Sequence, residues 1–450
     1  MDSEQARGES SGDSNDFRSR VSMTFRALRH RNFRLFFAGQ FISLTGTWMQ
    51  TVAQSWLVYR LTGSVVMLGM IGFASQIPVF LLAPFGGTVA DRYNRHRIII
   101  FTQSFAMLMA FSLALLTLTG TIQIWHLFVI AAGLGTANAF DIPARQAFAV
   151  DMVGKDDLIN AIALNSSMFN GARIVGPAIA GILVALVGEG WCFFLNAVSY
   201  IAVIASLLVM KITPVVRHSE GSAIAHIAEG FDYVAKTKPV RALLLLLGLV
   251  SLMGGPYAVL MPIFADQYLG GGASTLGFLM GASGCGALLA ALLLASRRHV
   301  FGLVRWVLFA CGGLGVSLVM FSFSRSFWLS VLLLIPVGFS MMTQMSSSNT
   351  LVQAMIPDEL RGRVMSLYSM MFMGVAPIGA LLAGTLAGIV GAPETIAIGG
   401  IACVAGAAIF SFKLSGVENQ GHQMIISMQM TAGEPNSKAA FQTPRLAGRQ

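Results

Sequence analysis

The sequence predicts an all-α membrane protein whose twelve transmembrane helices form two six-helix bundles that repeat each other. Three observations support this fold class: long apolar segments, a composition poor in charge, and basic residues confined to alternate loops. Hydrophobic residues make up 55% of the 450 residues and charged residues only 11%. Because soluble domains carry about 25% charged residues, the chain lacks the polar surface that a soluble fold of this length requires.

Twelve apolar segments have the length of a helix that crosses a bilayer, about 20 residues. Backbone N–H and C=O groups must be bonded internally in lipid, so each segment is expected to be helical. The predicted spans are 34–59, 67–89, 98–119, 124–146, 161–186, 191–210, 241–265, 275–296, 304–323, 327–352, 364–390 and 395–413.

Lysine and arginine residues orient these spans. If the N-terminus is cytoplasmic, 26 of the 29 basic residues lie in cytoplasmic segments or at cytoplasmic span ends. Arg60 and Arg325 then lie outside, and Arg173 lies within a span. This asymmetry predicts a multi-pass membrane protein with both termini in the cytoplasm.

The chain divides into two bundles, a linker and two polar termini. We expect both termini to be disordered, and the first one lacks the features of a cleaved signal peptide. An apolar stripe at helical spacing predicts an amphipathic helix in the linker, formed by Ile224, Ile227, Phe231 and Val234. The regions are a leader at 1–30, bundles at 31–210 and 241–413, a linker at 211–240 and a tail at 414–450.

Several function classes lack their sequence signals. The net charge of +9 is explained by basic cytoplasmic loops, so no nucleic-acid partner is expected. Neither a nucleotide-binding loop nor an H-E-x-x-H or G-x-S-x-G motif occurs, which argues against an enzyme or a nucleotide-driven pump. All four cysteines fall inside apolar spans without metal-ligand spacing, so neither a metal nor a cofactor is expected.

The two halves match at an offset of 203 residues within spans four and five and spans ten and eleven. Repeats of this kind are typical of transporters that rock two bundles around a central site. The matched pairs are Gly135 with Gly338, Met152 with Met355, Leu164 with Leu367, Ser166 with Ser369, Phe169 with Phe372, Gly171 with Gly374, Gly176 with Gly379, and Gly181 with Gly384.

The loop after span two reads Gly87-Thr-Val-Ala-Asp91-Arg92-Tyr-Asn-Arg95. It resembles the cytoplasmic loop motif of the major facilitator superfamily, G-x-x-x-D-R-x-x-R-R/K. In that reading Gly87 allows two helices to approach, and Asp91 suits the positive N-terminus of a neighbouring helix. Arg92 and Arg95 would bridge to carboxylates. The alternative is a basic loop with no gating role.

Span five contains Gly171-Ala-Arg173-Ile-Val-Gly176-Pro177-Ala-Ile-Ala-Gly181. It is similar to the G-x-x-x-G-P-x-x-G-G motif of exporters in this superfamily, although Ala180 replaces one glycine. Gly176 would permit a close helix crossing, and Pro177 would bend the helix. Generic small-residue packing is the alternative.

A third set of segments resembles the enterobactin-exporter-like branch, the transmembrane secretion effectors. These segments begin at Phe140-Asp141-Ile-Pro143-Ala-Arg145, Leu158-Ile-Asn160-Ala161 and Ala228-Glu229-Gly230-Phe231, and the resemblance covers roughly residues 25–413. It implies the major facilitator fold and export of siderophores, macrolides or other amphipathic molecules by the proton gradient. It further implies that Asp141 pairs with Arg95 as a cytoplasmic latch.

Ionisable residues at membrane depth are functional candidates by default. Arg173 lies near the middle of span five, where it would face a substrate cavity or meet a partner on another helix. Asp141 and Arg145 are four residues apart and therefore share one face of span four. Asp141 has a structural role or, alternatively, binds a proton. Other acids do not sit well inside a span, so proton coupling lacks an obvious titrating group.

Two polar stripes are candidates for the cavity lining. A helix with one polar face turns that face toward a cavity or toward neighbouring helices. The stripe in span one consists of Gln40, Ser43, Thr47, Gln50 and Gln54, and span ten contributes Gln344 and Asn349.

The sequence thus favours a secondary active exporter of a small amphipathic molecule that works as a monomer in the lipid bilayer by alternating access. An importer on the same fold is the first alternative, and the motif of span five separates the two. A membrane receptor that does not transport is the second, since it would keep the fold without needing a polar cavity.

Overall fold

The computed structural model describes residues 26–154, 157–210, 223–296 and 302–431. A short 3₁₀ turn, Arg26–Arg29, precedes the first long helix. The N-terminal half consists of α1 (Arg31–Thr62), α2 (Val65–Arg92), α3 (Arg95–Leu118), α4 (Ile124–Val153), α5 (Leu158–Val187) and α6 (Glu189–Val209).

The linker helix α7 (Ala223–Lys236) leads into the C-terminal half. Two helices of that half contain π-helical turns. They are α8 (Lys238–Tyr268), with turns at Val250–Gly254 and Phe264–Tyr268, and α12, in which Met370–Gly374 joins Asp358–Ser369 to Ala376–Val390. The others are α9 (Ala273–Ala295), α10 (Leu303–Phe323), α11 (Phe327–Ala354), α13 (Ala392–Phe412) and α14 (Leu414–Thr431).

The predicted fold class is confirmed. Among the described helices, eleven are long and apolar enough to cross a membrane by length and composition. The twelfth span is α1, which has 32 residues but carries the polar stripe of the first span, and these glutamines lower its hydropathy. Helix α7 separates the two sets of six.

Equivalent helix crossings in the two halves contain the glycines that the repeat matches. A side chain on Gly135 would strike the carbonyl of Ser75 on α2, and one on Gly338 would strike the carbonyl of Ser283 on α9. Small residues allow two backbones to approach this closely. The offset of 203 residues therefore relates helix pairs that cross in the same way.

The two halves meet along two helix pairs, α5 with α9 and α2 with α12. Gly181 faces Gly277 at the first crossing, and Gly69 faces Gly384 at the second. These glycines lie near the end of the bundle that holds Tyr59 and Asp266, which we call the distal end. The end that holds Arg92, Arg95 and Arg363 is called the basic end.

Buried apolar side chains form two clusters. One occupies the distal end and the C-terminal half, and the other occupies the basic end of the N-terminal half alone. Along α1, Phe36 belongs to the basic-end cluster and Met49 to the larger one. Gln40 and Ser43 lie between them, so a polar layer interrupts the core of the N-terminal half.

The linker helix packs on the C-terminal half. Tyr233 donates a hydrogen bond to the carbonyl of Met355 over 3.0 Å, and Glu229 pairs with Arg363 of α12. Phe231, a member of the predicted apolar stripe, is exposed, whereas the side chains of Ile224 and Ile227 lie outside the described residues. Helix α7 thus packs against α12 at the basic end.

The predicted tail needs a correction. Residues 414–431, expected to be disordered, form α14, because Val417 is buried and Glu418 pairs with Arg305 of α10 over 3.3 Å. Of the predicted leader, residues 26–29 form the 3₁₀ turn with Ala27 buried. Residues 1–25 and 432–450 lie outside the described part of the chain.

Candidate functional site

A cavity of about 430 Å³ lies within the polar layer of the N-terminal half. The structure places all five residues of the predicted stripe on its wall, since Gln40, Ser43, Thr47, Gln50 and Gln54 share one face of α1. We call it the amide cavity, because seven side-chain amides line it: Gln40, Gln50, Gln54, Gln76, Gln103, Asn138 and Asn196.

Its charged group is an ion pair on α4. Asp141 and Arg145, four residues apart, contact each other and line the amide cavity. Thr102 and Gln103 of α3 donate hydrogen bonds to Oδ1 of Asp141 over 2.8 and 2.9 Å. Asp141 is 2% exposed. These partners compensate a carboxylate that would otherwise be costly to bury.

The remaining wall is hydrogen-bonded between α1 and α6. Asn196 donates to Oε1 of Gln50 over 2.6 Å, and the hydroxyl groups of Thr47 and Tyr200 lie 3.4 Å apart. Oε1 of Gln40 is buried without a hydrogen-bond partner among the described residues. The C-terminal half contributes only apolar groups to this wall, from Ala258, Val259 and Met280. The hydrogen-bonding groups in the wall of the amide cavity therefore come from the N-terminal half.

A second cavity, of about 570 Å³, opens between the halves at the basic end. Gly87, Thr88 and Asp91 of α2 face Arg363 and Ser366 of α12 across it. Asn138 lines both cavities, so the two spaces adjoin. We refer to the second space as the inter-half cavity.

The loop motif has a different geometry from the one the sequence predicted. Arg95 pairs with Asp151 over 3.1 Å and with Asp91 over 3.7 Å, and it also donates to the carbonyls of Ala90 and Ala147. The predicted pairing of Asp141 with Arg95 is wrong, because Asp141 forms its ion pair with Arg145 on the same helix.

The close approach assigned to Gly87 also needs correction. A side chain at Gly87 would meet nothing within 4 Å, whereas one at the neighbouring Gly86 would strike the carbonyl of Ala139 on α4. Gly86 therefore makes the helix crossing, and Gly87 faces the inter-half cavity. The side chain of Asp91 is 48% exposed and that of Arg92 is exposed as well.

The distal end is closed by contacts between the halves. Tyr59 of α1 donates a hydrogen bond to Oδ2 of Asp266 in α8 over 2.8 Å. The π-helical turn Phe264–Tyr268 carries this aspartate. Within the N-terminal half, Arg60 pairs with Glu189 over 2.7 Å at the same end. Among the described residues, the halves are thus hydrogen-bonded to each other at the distal end and separated by the inter-half cavity at the basic end.

The motif of span five holds helices together. A side chain on Gly176 would lie 2.8 Å from the carbonyl oxygen of Thr45 on α1, and the carbonyl of Pro177 faces Gly277 of α9. Arg173 lies over the ring of Trp48 with its guanidinium carbon 5.7 Å from the centroid, a cation–π contact. Arg173 thus has an inter-helix partner, and it is not among the residues that line the two cavities.

The candidates of span ten do not reach the amide cavity. Gln344 is fully buried inside the C-terminal half. Asn349 is half-buried and accepts a hydrogen bond from Gln353 over 2.5 Å. The sequence reasoning placed both by their polarity alone, and polarity does not distinguish a cavity from a helix interface.

Other residues of the site escaped the sequence reasoning. Gln103 and Asn196 line the amide cavity, and their amides within apolar spans were a signal that could have revealed them. Asp266 lies just beyond the predicted end of span seven, so it was not considered as a membrane residue. Groups of three or more metal-ligating side chains that could hold a metal ion do not occur among the described residues.

Comparisons with known proteins agree with this architecture. A family model described as "transmembrane secretion effector" matches residues 22–441. The chain is 26% identical to the staphyloferrin A transporter of Staphylococcus aureus (84% of this chain, 95% of that protein). It is 24% identical to the enterobactin exporter EntS of Escherichia coli (79% and 85%).

A solved structure of a POT family transporter in complex with 5-aminolevulinic acid shares the fold. Its TM-score is 0.71 at 10% identity, and the match covers 86% of this chain and 97% of that one. At this identity the likeness concerns the fold alone. The relatives are transporters and not enzymes, in agreement with the absence of catalytic motifs.

Proposed function

We propose that this chain, which belongs to the transmembrane secretion effector family of major facilitator transporters, exports a small polar metabolite of the siderophore class. A multi-pass membrane transporter is the established part of this statement. The observation that carries the proposal is the amide cavity, a polar space with a buried ion pair inside an otherwise apolar bundle. Siderophores are the cargo named for the staphyloferrin A and enterobactin relatives.

Amide-rich walls suit such molecules. Seven amides offer donors and acceptors to hydroxyl, amide and carboxylate groups. Arg145 and Asp141 add one charge of each sign. Because ligand sites pair a few placed polar groups with apolar surface, the apolar contribution of Ala258, Val259 and Met280 would hold the less polar part of the cargo. Macrolides and other drugs are the alternative cargo.

The transport cycle alternates between two open ends. We infer that the basic end faces the cytoplasm of a bacterial inner membrane, because basic residues are retained on that side. In the conformation described, the molecule is open there and closed at Tyr59 and Asp266. Closing the inter-half cavity would bring Asp91 toward the first turns of α12, where a helix N-terminus favours a negative charge.

The energy source in this proposal is the proton gradient, with no bound cofactor. Asp141 is the carboxylate in the wall of the amide cavity, so it is the candidate proton acceptor. For export, cargo and proton would occupy this carboxylate in turn: a hydroxyl of the cargo donates to Asp141 from the cytoplasmic side, and protonation of Asp141 from the opposite side removes that acceptor and favours release of the cargo. The proton would then leave to the cytoplasm before the next cargo binds.

Accumulation in cells tests the proposal. Cells producing the parent chain are loaded with enterobactin, staphyloferrin A, a macrolide or a lipophilic cation, with and without an uncoupler. We expect the parent to lower accumulation of a siderophore and the uncoupler to abolish this effect. Asp91→Asn should lose most of it, and the matched control Asp232→Asn, which removes an exposed carboxylate of α7, should retain it.

Inside-out vesicles decide the direction, because an exporter concentrates its cargo in them and an importer does not. Importer function is the second candidate: protonation of Asp141 would free Arg145 for an anionic cargo, so that a proton and an anion would enter the cavity together. Binding without flux would point to a receptor, and no effect on any of the four compounds would contradict the proposal.

A further inference from the structure

One face of α11 buries four polar side chains inside the C-terminal half. Thr343, Gln344, Ser347 and Ser348 are each at most 1% exposed. Their hydroxyl oxygens and both amide atoms of Gln344 lack a hydrogen-bond partner among the described residues. Positions 343 and 347, and likewise 344 and 348, are four residues apart, so these groups form one patch on the helix. We call it the α11 patch.

The internal repeat relates this patch to the ion pair of the amide cavity. At the offset of 203 residues, Gln344 corresponds to Asp141 and Ser348 corresponds to Arg145. The register is fixed on one side by Gly135 and Gly338, which occupy equivalent crossings. On the other side, Met152 and Met355 are both buried. The α11 patch and the ion pair therefore occupy equivalent positions in the two halves.

The two places differ in what surrounds them. Asp141 receives hydrogen bonds from Thr102 and Gln103 on the adjacent α3. The helix α10, which packs beside α11, has Val304, Val307, Ala310, Cys311 and Leu314 among its buried residues. These side chains offer no comparable donor, because a thiol is only a weak one. The α11 patch consequently has its hydrogen-bonding capacity unused.

Unpartnered buried polar groups are unfavourable, and native proteins keep them where they have a use. We propose that the α11 patch is a second binding site for the transported molecule, one that takes uncharged hydroxyl and amide groups and is covered in this conformation. One amide and three hydroxyls can both donate and accept but carry no charge. The patch thus complements the ion pair, and this inference rests on the proposed function.

A hydrogen bond links α11 next to the patch to α12 near one of its π-helical turns, so displacement of that turn could shift α11 relative to α10 and uncover the patch. Tyr368 of α12 donates to the carbonyl of Met345 over 2.8 Å, two residues before the turn Met370–Gly374. That turn is joined to the turn Val250–Gly254 of α8 by Ser251, which donates to the carbonyl of Phe372 over 2.5 Å. A π turn is a one-residue insertion, so moving it along a helix rotates the residues it passes by about 100°.

Thiol labelling tests whether the patch becomes accessible. Ser348→Cys is made in a chain whose four native cysteines are replaced by alanine, and native membranes are treated with methanethiosulfonate ethylammonium. The positive control is Thr51→Cys in the amide cavity, and the negative control is Leu351→Cys, which is buried on the same face of α11. We expect Ser348→Cys to react at least about tenfold faster than Leu351→Cys, as a site that opens locally would. Equal rates would overturn the proposal.

Transport kinetics provide the second readout. Gln344→Leu removes the unpartnered amide, so its melting temperature should match or exceed that of the parent. If the patch binds the cargo, the KM for the exported compound should rise about tenfold, and Gln344→Asn should recover part of it. An unchanged KM in Gln344→Leu would contradict the proposal. A parent chain that moves no compound would defeat the proposed function itself, and this site with it, whatever the labelling shows.

Discussion

The N-terminal and C-terminal halves share their helix crossings but not their interiors. Equivalent glycines hold α4 against α2 and α11 against α9. At the matching depth, the N-terminal half has an ion pair with two further hydrogen bonds, whereas the C-terminal half has neutral side chains without a hydrogen-bond partner in the part of the chain that the structure describes. Duplication therefore preserved the residues that set the backbone spacing, while the polar interior diverged.

The two halves also differ in the regularity of their helices. Within the described residues, π-helical turns occur in α8 and α12 of the C-terminal half and in none of the six spans of the N-terminal half. Such turns mark places where a helix bends or where function resides. In the proposed function, the N-terminal half therefore supplies the charged recognition and the C-terminal half the conformational adjustment.

Breaking the ion pair of Asp141 and Arg145 should lower the free energy of unfolding more than any other change considered for the two halves. Arg145→Met leaves Asp141 as an uncompensated buried charge, so we expect a loss of about 3–5 kcal/mol in the free energy of unfolding. Gln344→Leu at the equivalent place should cost nothing. Thermal melting in detergent measures both. The double variant Asp141→Asn with Arg145→Gln should regain most of the stability, and failure to do so would contradict the pairing.

The shared crossings should respond equally in both halves. Gly135→Val and Gly338→Val each force a side chain against a backbone carbonyl of the neighbouring helix. We expect each to cost about 3 kcal/mol, at the upper end for overpacking. Gly87→Ala is the control, because a side chain there meets nothing within 4 Å. A clear difference between Gly135→Val and Gly338→Val would show that the halves are not packed alike.

The bond between the halves at the distal end should have a smaller effect. Tyr59→Phe leaves the carboxylate of Asp266 without its donor, which costs about 1–3 kcal/mol and favours opening of this end. The labelling rate of Gln54→Cys from the distal side should therefore rise about fivefold or more. Arg60→Gln is the matched control, since Arg60 pairs with Glu189 within one half. An equal rise in the labelling rate with Arg60→Gln would show that the bond from Tyr59 to Asp266 does not specifically hold the distal end closed.

The linker helix should matter least to stability. Glu229→Gln removes an ion pair in which the glutamate is itself half-exposed, and such pairs contribute about 0–1 kcal/mol. Tyr233→Phe should cost about 1 kcal/mol. Burial raises the pKa of Tyr233 above its ordinary value, so its hydroxyl remains a donor to Met355 further into the alkaline range than an exposed tyrosine would. Melting temperatures measure both losses, and a loss larger than that of Gly338→Val would contradict this order.

Much of the fold followed from the sequence, because period, length and charge bias act locally. The spans and the polar face of α1 belong to this class, and so does the placement of positions 141 and 145 on one face of α4, although their pairing with each other was not predicted. Partners on other helices did not follow. Arg95 meets Asp151 and Tyr59 meets Asp266 only after the bundle is assembled. Polarity alone also failed to separate Gln50, which lines a cavity, from Gln344, which is enclosed.

The central claim is that the amide cavity is the transport site and that its ion pair couples transport to protons. The most direct test is uptake into inside-out vesicles under an imposed proton gradient, comparing the parent chain with the double variant Asp141→Asn and Arg145→Gln. We predict that the parent concentrates the exported compound, that an uncoupler abolishes uptake, and that the variant, present in equal amount, does not respond to the gradient. Equal gradient-driven uptake by the variant would contradict the claim.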